Sequence, residues 1–246
     1  MKRVDSVISL IYSMSKAEKK AFSVQMLKDK EEKDYLVIYD IITKSKQLDS
    51  KNVKGEFHKR RPGGSFEVSI QYLYERLTDS LLTLRKKKDI YYDLLNNLCK
   101  ARMLYERSLF EECFEILSDT IEQATYYENN EVLTIALKLE LEYLLRLNFP
   151  NLAESELYHK HFMQNEALKK TRKIVEQSSL HNLLKYRLSH IGSIRTSKQK
   201  QDMNDLMVNE LSIAASSGIE GNFELMRNHR LFQANYLMGA GEYKAA

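Results

Sequence analysis

Turn-forming residues are scarce in this sequence. Its 246 residues include only two prolines, Pro62 and Pro150, and eight glycines. An all-β fold or a doubly wound sheet needs a turn signal between most of its strands, so this scarcity argues against both. Leu, Lys, Glu, Ala, Gln and Met dominate instead, and all are good helix formers. The composition therefore predicts an all-α protein.

Long apolar runs and paired cysteines are also missing. No stretch approaches the roughly 20 apolar residues that a membrane-spanning helix needs. The N-terminus has a basic start, but no small-residue cleavage site follows, which argues against a signal peptide. Cys99 and Cys113 have no CxxC partner, as expected of a reducing compartment. We expect a soluble, cytoplasmic protein.

Charge is unevenly distributed along the chain, although the net charge is only +4. Residues 1–90 hold 20 Lys and Arg against 13 Asp and Glu, whereas residues 91–246 hold 18 against 21. A dedicated nucleic-acid-binding protein usually has a stronger and more clustered positive face. The asymmetry separates a basic N-terminal helical region, residues 1–88, from a second region, residues 89–246.

Apolar periodicity predicts four helices in the first region. They cover about residues 4–14, a segment that begins after the capping box Ser15-Lys16-Ala17-Glu18, residues 34–44 and residues 66–87. Residues 46–65 are polar and end in Arg60-Arg61-Pro62-Gly63-Gly64-Ser65, which predicts a loop. The basic residues that close the last helix suit its negative dipole end.

The second region is predicted to form antiparallel helix hairpins. One helix covers about residues 90–107 and its partner residues 109–126, with a very short turn at Ser108. The next, residues 131–147, is apolar around most of its girth, as expected of a helix covered on two sides. Residues 152–191 are helical, and the spacing does not locate a break between helices there. The last helix covers residues 222–238.

A short pattern occurs twice in this second region. Each copy has a small residue, a leucine three later, a small turn residue, an aromatic residue two beyond it, and a further small residue. The copies are Ala101, Leu104, Ser108, Phe110, Cys113 and Ala234, Leu237, Gly241, Tyr243, Ala246. Small residues let two helices approach closely, and the leucine and aromatic residue fill the space between them.

This pattern resembles the tetratricopeptide repeat (TPR) family, and the whole chain is similar to uncharacterised bacterial helical-repeat proteins. The two copies lie 133 residues apart, near four of the family's periods of about 34 residues. The resemblance implies a TPR-like α-α superhelix, a solenoid of helix hairpins. The second copy stops at Ala246, where its second helix has only begun. We expect the natural protein to continue, or this uncapped end to pack on another chain, for example in a homo-oligomer.

Candidate chemical sites are weak. Arg60, Arg61 and Ser65 precede a helix N-terminus that could hold an anion, but they lack the spacing of a phosphate-binding loop. His159 and His161 are two apart and point to different sides of a helix, and His181, His190 and His229 are isolated. Cys113 is interpreted as a core residue. No catalytic residue, metal site or cofactor is predicted.

A solenoid binds partners on the concave surface lined by the first helix of each hairpin. The side chains beside the packing stripe there are Leu98, Arg102, Tyr105, Asn228 and Asn235. Arg and Asn can hydrogen-bond to a peptide backbone or carboxylate. The sequence thus favours a non-catalytic scaffold that binds a peptide or protein partner.

The alternative function is a regulator whose basic N-terminal helices contact nucleic acid while the repeats bind a partner. Its binding would fall steeply with salt. The candidate cations are Lys16, Lys19, Lys20, Lys51, Lys54, Lys59, Arg60 and Arg61.

Overall fold

The computed structural model describes residues 2–26, 33–44, 49–86, 88–191, 194, 196–216 and 222–241. Every regular element in these residues is an α-helix, so the all-α prediction is confirmed. The chain divides into two compact units, Met1–Asp93 and Leu94–Ala246. The boundary between the units falls a few residues after the predicted boundary at residue 88, inside a helix.

Unit 1 is a helical unit built around two of its helices. Its described helices are α1 (Lys2–Ser13), α2 (Lys16–Met26), α3 (Asp34–Lys44), α4 (Ser50–Arg60) and α5 (Phe66–Lys86). Helix α5 packs against the other four, and α3 packs against α1, α4 and α5. The predicted apolar stripe of α5 faces this core, since Ile70, Leu73 and Leu77 are buried.

The capping box at the start of α2 is present. The backbone N–H of Ser15 donates to Glu18 Oε2 at 2.8 Å, and the N–H of Glu18 donates to Ser15 Oγ at 3.3 Å. Hydrogen bonding from the backbone N–H and the side chain of Ser15 lowers the pKa of Glu18, because it favours the charged form of the carboxyl group. The box satisfies two N–H groups that a helix start otherwise leaves unpaired.

Helix α4 is a correction to the prediction of a polar connection over residues 46–65. Asp49 caps this helix by accepting from the N–H of Asn52 at 2.8 Å. Val53 and Phe57, four residues apart and fully buried, anchor it in the core. Because the segment is otherwise polar, these two apolar side chains are too few to establish a helical period, and the sequence does not predict the helix. Residues 45–48 lie outside the described residues.

Unit 2 begins with three helices of equal length. The end of α6 (Ile90–Glu106) lies in this unit and is followed by α7 (Phe110–Tyr126) and α8 (Asn130–Arg146), each 17 residues long. The helices start at intervals of 20 residues. A hairpin and its turns therefore occupy 40 residues, longer than the TPR period of about 34.

The same turn ends each of these three helices. Ser108, Glu128 and Asn148 follow them with φ values of 62°, 54° and 58°. In each turn the backbone N–H of the residue that follows donates to the carbonyl group five residues before it. The donors are Leu109, Asn129 and Phe149, at 3.0, 2.8 and 2.8 Å. This is the Schellman arrangement, in which a left-handed residue lets the chain satisfy the last carbonyl groups of a helix.

The remaining helices are α9 (Glu154–Ile191), α10 (Ser197–Ser216) and α11 (Phe223–Gly239). Helix α9 is unbroken over 38 residues. No Gly or Pro lies between Pro150 and Gly192, so nothing interrupts its backbone hydrogen bonds. Helix α8 packs against α7 and α9, while α10 and α11 pack against α9. The interval between the two repeat copies therefore contains one long helix, and not a series of equal hairpins.

The first repeat copy lies at the turn between α6 and α7. Ala101 and Cys113 are fully buried, and burial raises the pKa of the Cys113 thiol. The rings of Tyr105 and Phe110 lie 5.3 Å apart, centroid to centroid. Leu104 is half-buried next to the turn. Helices α6 and α7 are not among the helix pairs that pack closely, whereas α7 packs on α8, so the close hairpin that the pattern predicts is not formed at this copy.

The second copy is only partly described. Ala234 and Leu237 are half-buried on α11, and Gly241 has a φ of 79°, like the left-handed Ser108 of the first copy. Tyr243 and Ala246 lie outside the described residues. The hairpin predicted there is consequently not described beyond its turn residue.

Candidate functional site

Two of the five predicted partner-binding residues are interior. Leu98 is 7% exposed and Asn228 is 8% exposed. The Asn228 amide donates to Ser178 Oγ on α9 at 3.3 Å, so it connects α11 to α9. A partner that lies on the surface does not reach either side chain.

The other three predicted residues already have contacts within the chain. Arg102 is exposed and pairs with Glu106 one turn later, at 3.2 Å. The Tyr105 ring stacks on the ring of Tyr143 in α8, with centroids 3.7 Å apart and planes at 7°. The Asn235 amide donates to the carbonyl of Leu231 within its own helix at 2.7 Å. Of the three, Arg102 alone is fully on the surface.

The predicted anion site is occupied by carboxylates of the same unit. Arg60 donates to Asp40 Oδ2 at 3.0 Å, and Arg61 lies 3.7 Å from Asp34 Oδ1, both on α3. Ser65 is exposed just before α5. A phosphate at this loop would have to displace both pairs, so the arginines have a structural role between α3 and the end of α4.

A cavity of about 450 Å³ opens in unit 2 where α7, α8 and α9 meet. This volume lies in the range of small-ligand and side-chain pockets. Ile121, Leu137 and Met163 give it an apolar wall, and His159 and Lys160 give it polar donors. Hydroxyl groups of Ser118 and Ser155 and the carboxylate of Glu156 complete the rim.

A partly buried ion pair lies on the cavity wall. Lys160 Nζ donates to Glu140 Oε1 at 2.8 Å, and the two side chains are 25% and 8% exposed. The second oxygen, Glu140 Oε2, is buried and has no hydrogen-bond partner among the described residues. Burying a carboxylate with half of its hydrogen-bonding capacity unused is costly, and Glu210 Oε2 is buried and unpaired among the described residues in the same way.

The pair is held in place by its helices. Glu140 stands in an otherwise apolar stretch of α8, whose neighbours Ala136, Leu137, Leu141 and Leu144 are buried. Lys160 reaches it from the second turn of α9. Lysine has three donors, and its long stem can bury along apolar surface while the ammonium group faces a polar partner. The donors left after the bond to Glu140 can serve a ligand in the cavity.

A second buried carboxylate joins three helices elsewhere in the unit. Glu210 on α10 is fully buried, and its Oε1 lies 2.5 Å from His229 Nδ1 on α11. Gln177 Nε2 on α9 approaches the same oxygen at 3.5 Å. His229 is thus at the edge of the core. The cluster fixes α10 and α11 on α9, and we interpret it as structural.

The described residues contain no group of three or more His, Cys, Asp and Glu side chains placed to hold a metal ion. Within the same residues, no helix combines the length and the apolarity needed to cross a bilayer. Both cysteines are free, Cys99 exposed and Cys113 buried.

The fold and the site together define an all-helical protein with a small amphipathic cavity. No known protein family, curated protein or solved structure matches this chain.

Sequence reasoning missed the pair of Glu140 and Lys160, which are 20 residues apart and on different helices. One signal was available. Glu140 interrupts the apolar surface of α8 at a position that faces a neighbouring helix, whereas Glu131 and Glu142 belong to the polar strip. A charge in such a position needs a partner, but the sequence does not show which helix supplies it.

Proposed function

We propose that this chain is a non-catalytic protein-interaction module of the cytoplasm, which binds a segment of a partner protein in the α7–α8–α9 cavity. The single observation that supports this function most is the Glu140–Lys160 pair on an apolar cavity wall. An apolar side chain of the partner would lie against Ile121, Leu137 and Met163. Its neighbouring carbonyl or carboxylate oxygen would accept from Lys160.

We further propose that the second unit is a TPR-like α-α superhelix in its hairpin chemistry, with a longer period. Support comes from three helices of equal length that each end at a left-handed residue, and from the small buried residues Ala101 and Cys113 on either side of the α6–α7 turn. The cavity differs from the surface that a TPR comparison predicts, because α7 packs on α8 and not closely on α6, and the cavity lies between α7, α8 and α9. We therefore place the partner on that side of the unit.

The rival function, nucleic-acid binding by unit 1, has weaker support. Lys54 pairs with Glu67 at 2.6 Å and Lys59 pairs with Glu56 at 2.7 Å. Arg60 pairs with Asp40. Acidic neighbours at these distances reduce the positive potential that would attract phosphates. Binding to a mixed-sequence duplex that falls steeply between low and moderate salt would favour this rival.

A random peptide library tests the proposed function without knowledge of the natural partner. We expect the wild-type chain to select peptides that share an apolar residue next to an oxygen-rich one. Two variants should each weaken the binding of the selected peptides by about tenfold or more. Ile121→Asp places a charge on the apolar wall, and Lys160→Met removes the donor.

Matched controls use exposed positions of α8. Ile135→Asp and Lys138→Met make the same chemical changes outside the cavity, at side chains that are exposed. They should leave peptide binding unchanged. If Ile135→Asp abolishes binding and Ile121→Asp does not, the partner lies on a different surface and the cavity is not the site.

A further inference from the structure

The outer face of α9 is apolar and uncovered. Six of its large side chains are between 47% and 69% exposed. They are Tyr158, Phe162, Leu168, Val175, Leu183 and Tyr186. The buried side chains Ala167, Gln177 and Leu184 lie toward the other side of the helix, and buried Leu180, five turns after Phe162, lies at the border between the two sides. An exposed apolar surface of this extent along one helix marks an interaction site.

The six residues form three pairs with regular spacing. Tyr158 and Tyr186 are 28 residues apart, Phe162 and Leu183 are 21 apart, and Leu168 and Val175 are 7 apart. Each separation is a multiple of seven. The two members of a pair therefore occupy the same position of a seven-residue repeat, the period of helices that pack side by side in a coiled coil.

The three pairs also have nearly the same centre. Their midpoints all fall within one residue of Arg172. When two copies of a helix pack antiparallel around a two-fold axis, each residue lies opposite the residue at the same distance on the other side of the centre. Tyr158 of one copy would then lie opposite Tyr186 of the second copy, and the two other pairs would match in the same way.

Charged side chains on this face have the same symmetry. Lys169 and Glu176 are 7 residues apart with their midpoint beside Arg172, and they carry opposite charges. In an antiparallel pair, Lys169 of one copy would lie within one residue of the level of Glu176 of the other, twice. Within each copy, Lys169 bonds to Glu166 at 2.8 Å and Arg172 bonds to Glu176 at 2.8 Å. The central charges would therefore form a network across the axis.

We propose that α9 pairs antiparallel with α9 of a second copy of this chain, around a two-fold axis at Arg172. At 1.5 Å per residue, the contact from Tyr158 to Tyr186 is about 42 Å long. Six large side chains at about 100 Å² each, with their charged neighbours, approach the roughly 800 Å² per partner of a stable interface. An unrelated partner gives no reason for the common centre of the apolar and charged pairs.

This dimer is independent of the proposed peptide site, because the cavity residues Lys160 and Met163 lie on a different side of α9 from the six exposed residues. Either proposal can therefore fail without the other. Peptide binding and the oligomeric state are measured separately.

Sedimentation of the purified chain tests the dimer. We expect a dimer at micromolar concentration, and we expect Leu168→Glu with Val175→Glu to weaken it by about 100-fold or more while circular dichroism shows an unchanged helix content. The control pair, Val208→Glu with Leu211→Glu, makes the same changes at exposed positions of α10. It should leave the dimer intact. A chain that remains monomeric at about 100 µM would overturn the proposal.

A charge exchange tests the register. Lys169→Glu or Glu176→Lys alone places like charges opposite each other at both ends of the network, and each should weaken the dimer by about tenfold. The double exchange restores opposite charges across the axis but places like charges beside Glu166 and Arg172 within each copy, so it should recover part of the affinity that the single variants lose. If the double variant loses as much dimer affinity as the two single variants lose together, these residues do not face each other.

Cysteine cross-linking in a Cys99→Ser background tests the direction of the helices. The Arg172→Cys variant should form a disulfide between the two copies under oxidation, because the axis brings position 172 of each copy together. Tyr158→Cys should not cross-link with itself, but it should cross-link when mixed with Tyr186→Cys. Efficient cross-linking of Tyr158→Cys with itself would indicate parallel helices and would refute the antiparallel arrangement.

Discussion

Gly64 and Phe57 approach each other so closely that no side chain fits between them. A Cβ atom on Gly64 would lie 2.8 Å from Cζ of the Phe57 ring and 2.7 Å from Asp34 Oδ2. Phe57 is fully buried and its ring also contacts Phe66, with centroids 5.5 Å apart. The close approach lets the short loop between α4 and α5 lie directly on the core of unit 1.

The first prediction concerns this contact. Gly64→Ala should reduce the free energy of unfolding by about 1–3 kcal/mol, because a buried aromatic ring has no room to move away from the new methyl group. Gly63→Ala, one residue earlier, meets nothing within 4 Å and should be close to neutral. Urea unfolding of both variants provides the measurement. Equal stability of the two variants would show that the loop adapts freely.

The second prediction concerns the ion pair of the cavity. Lys160→Met leaves the buried Glu140 carboxylate without its partner and should lower the free energy of unfolding by about 3 kcal/mol. Replacing both residues, Glu140→Leu with Lys160→Met, should recover most of the loss, since no buried charge remains. As a control, Arg146→Met breaks the exposed pair with Glu142 on the same helix. That change should cost less than about 1 kcal/mol.

The third prediction concerns pH and the Asp205–Arg187 pair, which connects α10 to α9. Arg187 binds both carboxylate oxygens, at 2.7 and 3.0 Å, and this hydrogen bonding lowers the pKa of Asp205 below its usual 3.8. A lowered pKa in the folded state means that the contribution is present above pH 3.8 and is lost as the pH falls through the lowered value. Asp205→Asn should therefore be less stable than wild type near neutral pH, by at most about 1 kcal/mol because both groups are partly exposed.

Chemical unfolding at several pH values measures this difference. The gap between wild type and Asp205→Asn should be constant from neutral pH down to about pH 5 and should close in strongly acid solution. A gap that stays the same across the whole range would mean that the loss comes from packing and not from the charge of Asp205.

Most helices could be predicted because their apolar spacing is local information. The stripe Ile70, Leu73 and Leu77 located α5, and the Ser15–Glu18 box located the start of α2. Helix α4 was missed because two buried residues in a polar segment do not establish a period. The unbroken α9 was not predicted because a repeat family supplied the expectation of hairpins, although the absence of Gly and Pro indicated a continuous helix.

The candidate site depends on long-range contacts, which a single sequence does not contain. Glu140 and Lys160 meet only because α8 and α9 pack antiparallel after the turn at Phe149-Pro150-Asn151. Leu98 and Asn228 were expected beside the packing stripe, yet neighbouring helices cover them. The period of a helix shows which residues share a face, but not which faces become covered.

The last prediction concerns the left-handed turn of the repeat pattern. Ser108 has a φ of 62°, which costs an ordinary L-residue about 1–2 kcal/mol, and Gly241 occupies the same place in the second copy. Ser108→Gly should therefore raise the free energy of unfolding by about 0.5–1 kcal/mol, after the greater freedom of glycine in the unfolded chain is included. Ser108→Val, which adds a branched side chain at an exposed position, should lower it by at least about 1 kcal/mol. Asn148→Gly is the matched control. Because asparagine tolerates this conformation, the free energy of unfolding should rise less for Asn148→Gly than for Ser108→Gly. Thermal unfolding ranks the three variants, and a Ser108→Val variant as stable as Ser108→Gly would show that the turn does not hold this backbone conformation in solution.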